Sequence, residues 1–475
     1  MNSEWELELF HRAAKQVPAY RRFLKAQGCD PATISTVADL DQLPFISKKS
    51  YLQQNALAEL CYRHRLGEAV EYCATSGSTS EPFYFPRTDQ LAEHYADVLV
   101  RYFAESSYGA NGRTLVIVGF GMGVWIGGII TVRALEIAAA RAHVPLAILP
   151  TGINKTEIMR GLVQLSPQYD QTLLIGYPPF VKDMLDDAQQ AGLDLAAIHL
   201  RLMFAAESFN EQFRDYVVAQ GAVGNPCIDT LNIYGSAEAG VMATETPLSI
   251  LVRRLATTKP ALFTDLFGQV QKTPTLAQYD PAYIAFTAAD GEIALSADSL
   301  LPLVRYRIGD RGGVLGYAQV VAALRRHGFD VSRELKAAGI KRPPQRRPFV
   351  YVYERSDFAV SLYGATLFPE IVKDGLVDPA VSEWLTERFT MIVRYDDAQQ
   401  QYLEVNLETR PGRTIRQPQR RQLAPTLIKA MSARSSELRE ICQQLSADKV
   451  VKFVYWPFEH PTYFKPGVKQ RWSAK

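Results

Sequence analysis

The residues best suited to chemistry fall in a few short stretches. The first is CATSGSTSEP (73–82), in which eight residues are small and five carry hydroxyls. Small residues let backbone N–H groups turn inward, and Ser and Thr add donors, so such a run can cradle phosphate oxygens. The P-loop pattern GxxxxGK[ST] is absent, and a plain linker has the same composition. The second stretch, NIYGSAEAG (232–240), sets a glutamate behind a glycine turn. The third, LPLVRYRIGDRG (301–312), carries Arg-Tyr-Arg-Ile-Gly-Asp. The fourth is YERSDFAVSLYGATLFPEIV (353–372), and the fifth, FKPGVKQRW (464–472), is a basic tip near the C-terminus. Each has a plainer reading: Glu238 capping the next segment, Asp310 as a turn residue, the terminal lysines as solvated charges.

The elements that must position these residues alternate through the first half. Helical patterns cover 91–105, 127–143, 155–165 and 179–191, and apolar strand-like runs cover 114–118, 146–149, 171–175 and 200–205. Short apolar strands spaced by helices predict parallel βαβ units, with ligands at the carboxyl ends of the strands. From about residue 255 to 300 prolines, glycines and short β runs mix and no long periodic segment is expected. KRPPQRRP (341–348) reads as an exposed loop. Beyond it the expected order is strand 349–353, helix 369–374, strands 389–395 and 401–407, a long helix 424–445 and strand 450–455, an α+β arrangement of ferredoxin-like order.

Composition sets outer bounds. A chain of 475 residues exceeds one ordinary core, and 47% hydrophobic with 21% charged residues is a globular balance. A net charge of +2 gives no electrostatic case for nucleic acid or an anionic membrane. The N-terminus lacks a signal-peptide pattern, and the apolar stretch 114–130 carries five glycines and falls short of a span, so a cytoplasmic protein is expected. Cys29, Cys61, Cys73, Cys227 and Cys442 lie far apart, which predicts reduced thiols rather than disulfides or structural zinc. His94, His143 and His199 read as structural.

Taken in order, the five stretches resemble motifs of the adenylate-forming superfamily of acyl-CoA synthetases, and within it the phenylacetate–CoA ligase family. TSGSTSEP is similar to its TSGTTGKP loop, YGSAE to YGSTE, RYRIGD to RYRTGD, and RSDF…GATLFPEI to the RxDD…GxxxFPxEIE hinge region. The resemblance runs from about residue 10 to the end. It implies an α/β protein with a large N-terminal domain (1–355) that binds ATP and acid, and a small mobile α+β lid (356–475) turning about Ser356–Asp357. It also implies roles. Thr75, Ser76, Gly77, Ser78 and Thr79 hold the ATP phosphates, and Tyr234, Gly235 and Ser236 flank the adenine and the carboxylate. Glu238 associates with Mg2+, Asp310 accepts the ribose hydroxyls, and Arg355 contacts ribose or phosphate. Lys469, with Lys465 as the alternative, bridges the carboxylate and the α-phosphate.

The departures are Ser80 for glycine, Glu81 for lysine, and Ala237 for the threonine before Glu238. Glu207 in FAAESF resembles the family's GAE segment, with loop positioning as the plainer role. The cysteine/histidine zinc site of some members is not expected, because 241–300 holds neither residue. The family places its acyl pocket around VGFGMGVWIGG (118–128). There Phe120, Gly121, Met122, Trp125 and Gly128, with Tyr177 of GYPP (176–179), form an apolar slot for an aromatic or compact apolar acid. Core packing of Phe120 and Trp125 is the alternative. The expected activity is ATP-dependent formation of an acyl-AMP and transfer to an acceptor, the CoA thiol first. A carrier-protein thiol, an amine or a hydroxyl is the alternative acceptor, and a homodimer is left open. Rival readings are a degenerate nucleotide-binding protein and, on the glycine-rich stretch alone, an NAD-dependent oxidoreductase.

Overall fold

Unbroken apolar runs build the centre of the molecule. Thr114–Gly119 and Gln171–Gly176 are buried at every position. Strands covered on both faces need no polar side, so alternation is missing from their sequences. Their side chains still divide by parity. Val116 and Val118 pack with Leu99 and Leu135 of the helices Gln90–Phe103 and Ile126–Ala142. Leu115 and Ile117 pack on the opposite face with Val181 and Leu185 of Pro178–Gln190.

The computed structural model describes residues 4–74, 83–109, 112–123, 126–268, 273–355, 359–376 and 378–464. Five strands are parallel neighbours in the spatial order Leu146–Leu149, Thr114–Gly119, Gln171–Gly176, Leu200–Ala205, Thr230–Ser236. The chain leaves Thr114–Gly119 for one edge and comes back to its other side with Gln171–Gly176. Strand order therefore reverses between these two, and the crevice beyond such a reversal is where open parallel sheets bind ligands. After Ser236 the sheet continues in the order Gly240–Thr244, Thr275–Gln278, Phe349–Arg355, Leu303–Leu315, Glu292–Ala297 and Ile284–Ala289, with antiparallel pairs from Thr230–Ser236 to Phe349–Arg355 and from Leu303–Leu315 to Ile284–Ala289. Among the described residues no helix is long and apolar enough to cross a membrane.

The chain divides into two compact units, one of Met1–Ala74 with Tyr84–Glu354, the other containing Arg355–Lys475. Taken by itself, the second unit has a three-stranded sheet in the order Leu385–Tyr395, Gln401–Thr409, Val451–Trp456. Its core joins Phe389, Met391, Leu403 and Leu427. The ferredoxin-like element order is present with one change. The strand expected at 349–353 is present as Phe349–Arg355 but belongs to the large sheet, and in the second unit a hairpin, Val360–Leu362 with Ala365–Leu367, forms its own two-stranded sheet.

Three local expectations need correction. The 255–300 stretch, expected to mix prolines, glycines and short β runs, also holds a helix, Pro260–Phe267, directly behind Pro247–Thr258. Their prolines sit in the first turn, where the missing N–H removes no bond, so they start helices instead of breaking them. The long helix expected at 424–445 is two, Gln417–Arg434 and Ser436–Leu445, because Ser435 caps the second by accepting from Leu438 N at 3.1 Å. The helix from Lys155 is α only to Arg160 and widens to a π turn over Gly161–Leu165. The loop at 341–348 has no regular structure, as expected, although Arg347 is tied to Asp280 at 2.8 Å.

Candidate active site

Tyr234 and Asp310 are 76 residues apart in sequence, yet the Tyr234 hydroxyl donates to Asp310 Oδ2 at 2.6 Å. Their strands are separated by three others in the sheet. On a flat sheet that separation is about 19 Å, at ~4.8 Å per strand. The sheet must therefore curl to bring its antiparallel half over the carboxyl end of Thr230–Ser236. The same curvature brings Tyr306 to Glu238, whose Oε1 accepts from the Tyr306 hydroxyl at 3.4 Å. Asp310 is 8% exposed, and Glu238 is only half-buried. Two carboxylates from two motifs thus stand at one rim, each bonded by a tyrosine hydroxyl. The Tyr234 ring is supported by Phe286, stacked at 6.2 Å.

The turn that carries Glu238 is tight. Ser236 Oγ accepts from Ala239 N at 3.3 Å. Gly235 is required sterically, since a Cβ there would lie 2.9 Å from the Gly240 carbonyl. Arg305 and Arg307 of the RYRIGD stretch do not point their charge at this rim. Both lie over the Phe45 ring at 4.3 Å, and Arg305 also meets Asp41 at 3.2 Å and the Leu40 carbonyl. They fasten the N-terminal segment to Leu303–Leu315.

At the strand-order reversal, Gly119 and Gly176 are register partners. The residues that follow, Phe120 and Tyr177, meet with ring centroids 5.1 Å apart. Phe120 is 2% exposed and belongs to the core cluster. Tyr177 and Met122 are partly buried against that cluster. Gly121 lies beneath the start of the next helix: a Cβ on Gly128 would come within 2.5 Å of the Gly121 carbonyl. Met122 also faces a groove of about 420 Å³ whose other walls include Ile129, Val132, Arg133, Glu136 and Glu71. Charged groups from outside the glycine-rich stretch therefore stand beside it. Thr75, Ser76, Gly77, Ser78, Thr79, Trp125 and Lys469 lie outside the described residues, as do Ser356 and Asp357. Arg355 closes the strand Phe349–Arg355.

Sequence reasoning missed the support beneath this rim. Arg214 and Arg253, fully buried, share Glu245 Oε1 at 2.6 and 3.0 Å. Arg214 also holds Glu211 at 3.0 Å. Glu245 Oε2 accepts from Asn232 N at 2.9 Å, and Asn232 Nδ2 donates to the Glu207 carbonyl at 3.1 Å. The network thus fixes the strand leading to Tyr234 and the loop carrying Glu207, where Ala206 has a left-handed φ of 73°. Burial raises the Glu211 carboxyl pKa, but Arg214 and Arg253 outweigh it and hold it below the ordinary value. His94 is stacked on Tyr283 at 3.5 Å, and burial lowers its pKa to about 4. It is neutral at physiological pH and serves as packing. Among the described residues no group of His, Cys, Asp and Glu forms a metal cluster.

No family model matches the chain. It is 23% identical over 301 residues to a phenylacetate–coenzyme A ligase of Aromatoleum evansii, covering 63% of this chain and 62% of that protein. It is 24% identical over 313 residues to the same-named enzyme of Escherichia coli K12, covering 65% and 64%. The match therefore spans less than two thirds of these curated relatives. A solved structure of 2-hydroxyisobutyryl-CoA ligase, in complex with 2-HIB-AMP and CoA, is similar with a TM-score of 0.65 at 14% identity, covering 99% of this chain and 88% of that one. The postadenylation-state structure of that ligase gives 0.53 at 12% identity and the same coverage. The chain shares the fold of that ligase. The named sequence relatives are phenylacetate–CoA ligases at low identity.

Proposed function

We propose that this chain activates a carboxylic acid with ATP as an acyl-adenylate and then passes the acyl group to an acceptor, the CoA thiol first. The observation that carries the reading is the convergence of Tyr234–Asp310 and Tyr306–Glu238 at one rim, from segments some 70 residues apart. Asp310 is a charged acceptor suited to ribose hydroxyls. Glu238 fits Mg2+, since it offers oxygen, is half-exposed, and is bonded to a phenol rather than locked in an ion pair among the described residues. The cation, when bound, neutralises the phosphate charge that builds as pyrophosphate leaves. The acid is placed at the strand-order reversal beside Met122 and Tyr177, and an aromatic or compact apolar acid is favoured by the Phe120–Tyr177 wall.

In this reading Thr75, Ser76, Gly77, Ser78 and Thr79 grip the phosphates, Trp125 and Gly128 complete the acid slot, and Arg355 contacts ribose or phosphate. Lys469 bridges the reacting groups, and the lid (356–475) turns about Ser356–Asp357 between half-reactions. The carboxylate oxygen attacks the α-phosphorus, and pyrophosphate departs with its electron pair. The acceptor thiol then attacks the acyl carbon and releases AMP. Ala237 in the glutamate motif favours one competing reading, a nucleotide binder without turnover. The test is mass-spectrometric detection of acyl-AMP and of acyl-CoA with a panel of aryl and short apolar acids. Acid-dependent acyl-AMP supports the proposal. ATP binding with no acyl-AMP from any acid, and with affinity unchanged in Lys469→Ala, supports the binder instead.

A further inference from the structure

Arg87 is a buried cation that neither the motifs nor the proposed roles use. It is 2% exposed and ends the strand Tyr84–Arg87, paired with Glu71–Ala74. Its guanidinium lies 5.2 Å from the Phe85 ring centroid, beside the Cys73 thiol and within the field of Glu238. Nη2 donates to the Ala237 carbonyl, inside the glutamate turn. Burying a guanidinium is costly unless its charge and donors are used.

The geometry of that bond has a stereochemical consequence. The described residues contain no cis peptide, and in a trans peptide the C=O and N–H point in opposite directions. The Ala237 carbonyl is turned inward to Arg87, so the N–H of Glu238 is turned outward. Among the described residues that N–H has no acceptor. Ala237 itself brings no side-chain donor to the turn. Arg87 also polarises the peptide it holds, which strengthens the outward N–H as a donor.

We propose that Arg87 is a positioning residue that locks the 237–238 peptide so that the Glu238 backbone N–H donates to the α-phosphate of the bound nucleotide, in place of the hydroxyl that Ala237 lacks. The inference rests on the adenylation reading and adds to it the donor that recognises the phosphate. The test compares AMP with adenosine by titration calorimetry, because only AMP carries the phosphate. A hydrogen bond to a charged group corresponds to roughly 10- to 100-fold in affinity. Arg87→Met is expected to lower the AMP-over-adenosine preference by about 10-fold, the low end of that range, while adenosine binding holds. Adding Ala237→Thr in the same background should restore most of the preference, which a merely structural role of Arg87 does not predict. Should Arg87→Met fail to fold by circular dichroism, Arg87→Lys takes its place. Its ammonium lacks the planar fork, and a fall of about threefold, restored by Ala237→Thr, is expected. An unchanged preference, or a joint loss of AMP and adenosine with no rescue, overturns the inference. Wild-type protein that binds neither compound sinks the adenylation reading as well.

Discussion

Replacing Asp310 by asparagine keeps the shape of the rim and removes its charge. The carboxylate is 8% exposed and takes the Tyr234 hydroxyl at 2.6 Å, so it is pre-aimed before any nucleotide arrives. A hydrogen bond to a charged acceptor contributes about 1.5–3 kcal/mol, against about 1 kcal/mol for a neutral one. With ribose hydroxyls as donors, Asp310→Asn should therefore weaken AMP binding by roughly 10-fold or more, since 1.4 kcal/mol is a factor of ten. Tyr234→Phe removes only the aiming hydroxyl and should cost about 1 kcal/mol of AMP affinity. In the double variant the second change should cost almost nothing, because nothing charged is left to aim. Calorimetric titration of AMP into the four proteins gives the coupling energy directly, and about 1 kcal/mol is expected. Asp310→Asn with unchanged AMP affinity would refute the reasoning, and so would two losses that simply add.

Three further outcomes follow from buried groups. Burial pushes the Glu437 carboxyl up to about 7 from its ordinary 4.5, against a backbone bond from Thr366 that lowers it. Its folded-state pKa is raised, so a penalty sets in as pH climbs above 4.5 and is complete above about 7. Glu437→Gln should then leave stability unchanged near pH 4 and raise it at pH 8 by on the order of 3 kcal/mol at most, read from urea titrations at the two pH values. Glu245→Gln leaves Arg214 and Arg253 short of their shared charge and should cost about 3–5 kcal/mol, a loss that calorimetric melting would detect; a loss below 1 kcal/mol contradicts the role given to the network. Burial raises the thiols of Cys61, Cys73 and Cys227 to about 11. Native protein should therefore react slowly with a thiol reagent at these positions at pH 8, and fast labelling of Cys73 would show the strand Glu71–Ala74 to be more open than described.

The parallel half of the fold was legible because its inner strands are buried on both faces and its helices are long enough to show their period. Leu146–Leu149 and Leu200–Ala205 lie where the apolar runs place them. The misreadings share a cause. Proline reads as an interruption beyond residue 255, but Pro260 occupies the first turn of Pro260–Phe267. Ser435 reads as helix interior, but its side chain caps the following helix. The pairing of Tyr234 with Asp310 was not legible, because it depends on sheet curvature and not on any local spacing. Arg87 and Glu245 carried no motif. What marks each is a charged residue inside an otherwise apolar strand or strand end, a conflict that burial with a partner resolves. The slot rests on the family resemblance and on residue type, neither of which separates Phe120, held in the core, from Met122 beside the groove.

The most direct test of adenylation is carboxylate-dependent ATP–pyrophosphate exchange, run with Mg2+ and without CoA across aryl and short apolar acids. Exchange that requires one class of acid, and that falls in Glu238→Gln, Asp310→Asn and Lys469→Ala, is the result predicted. Acid-independent exchange, or none with any acid from protein that still binds ATP, would contradict the account.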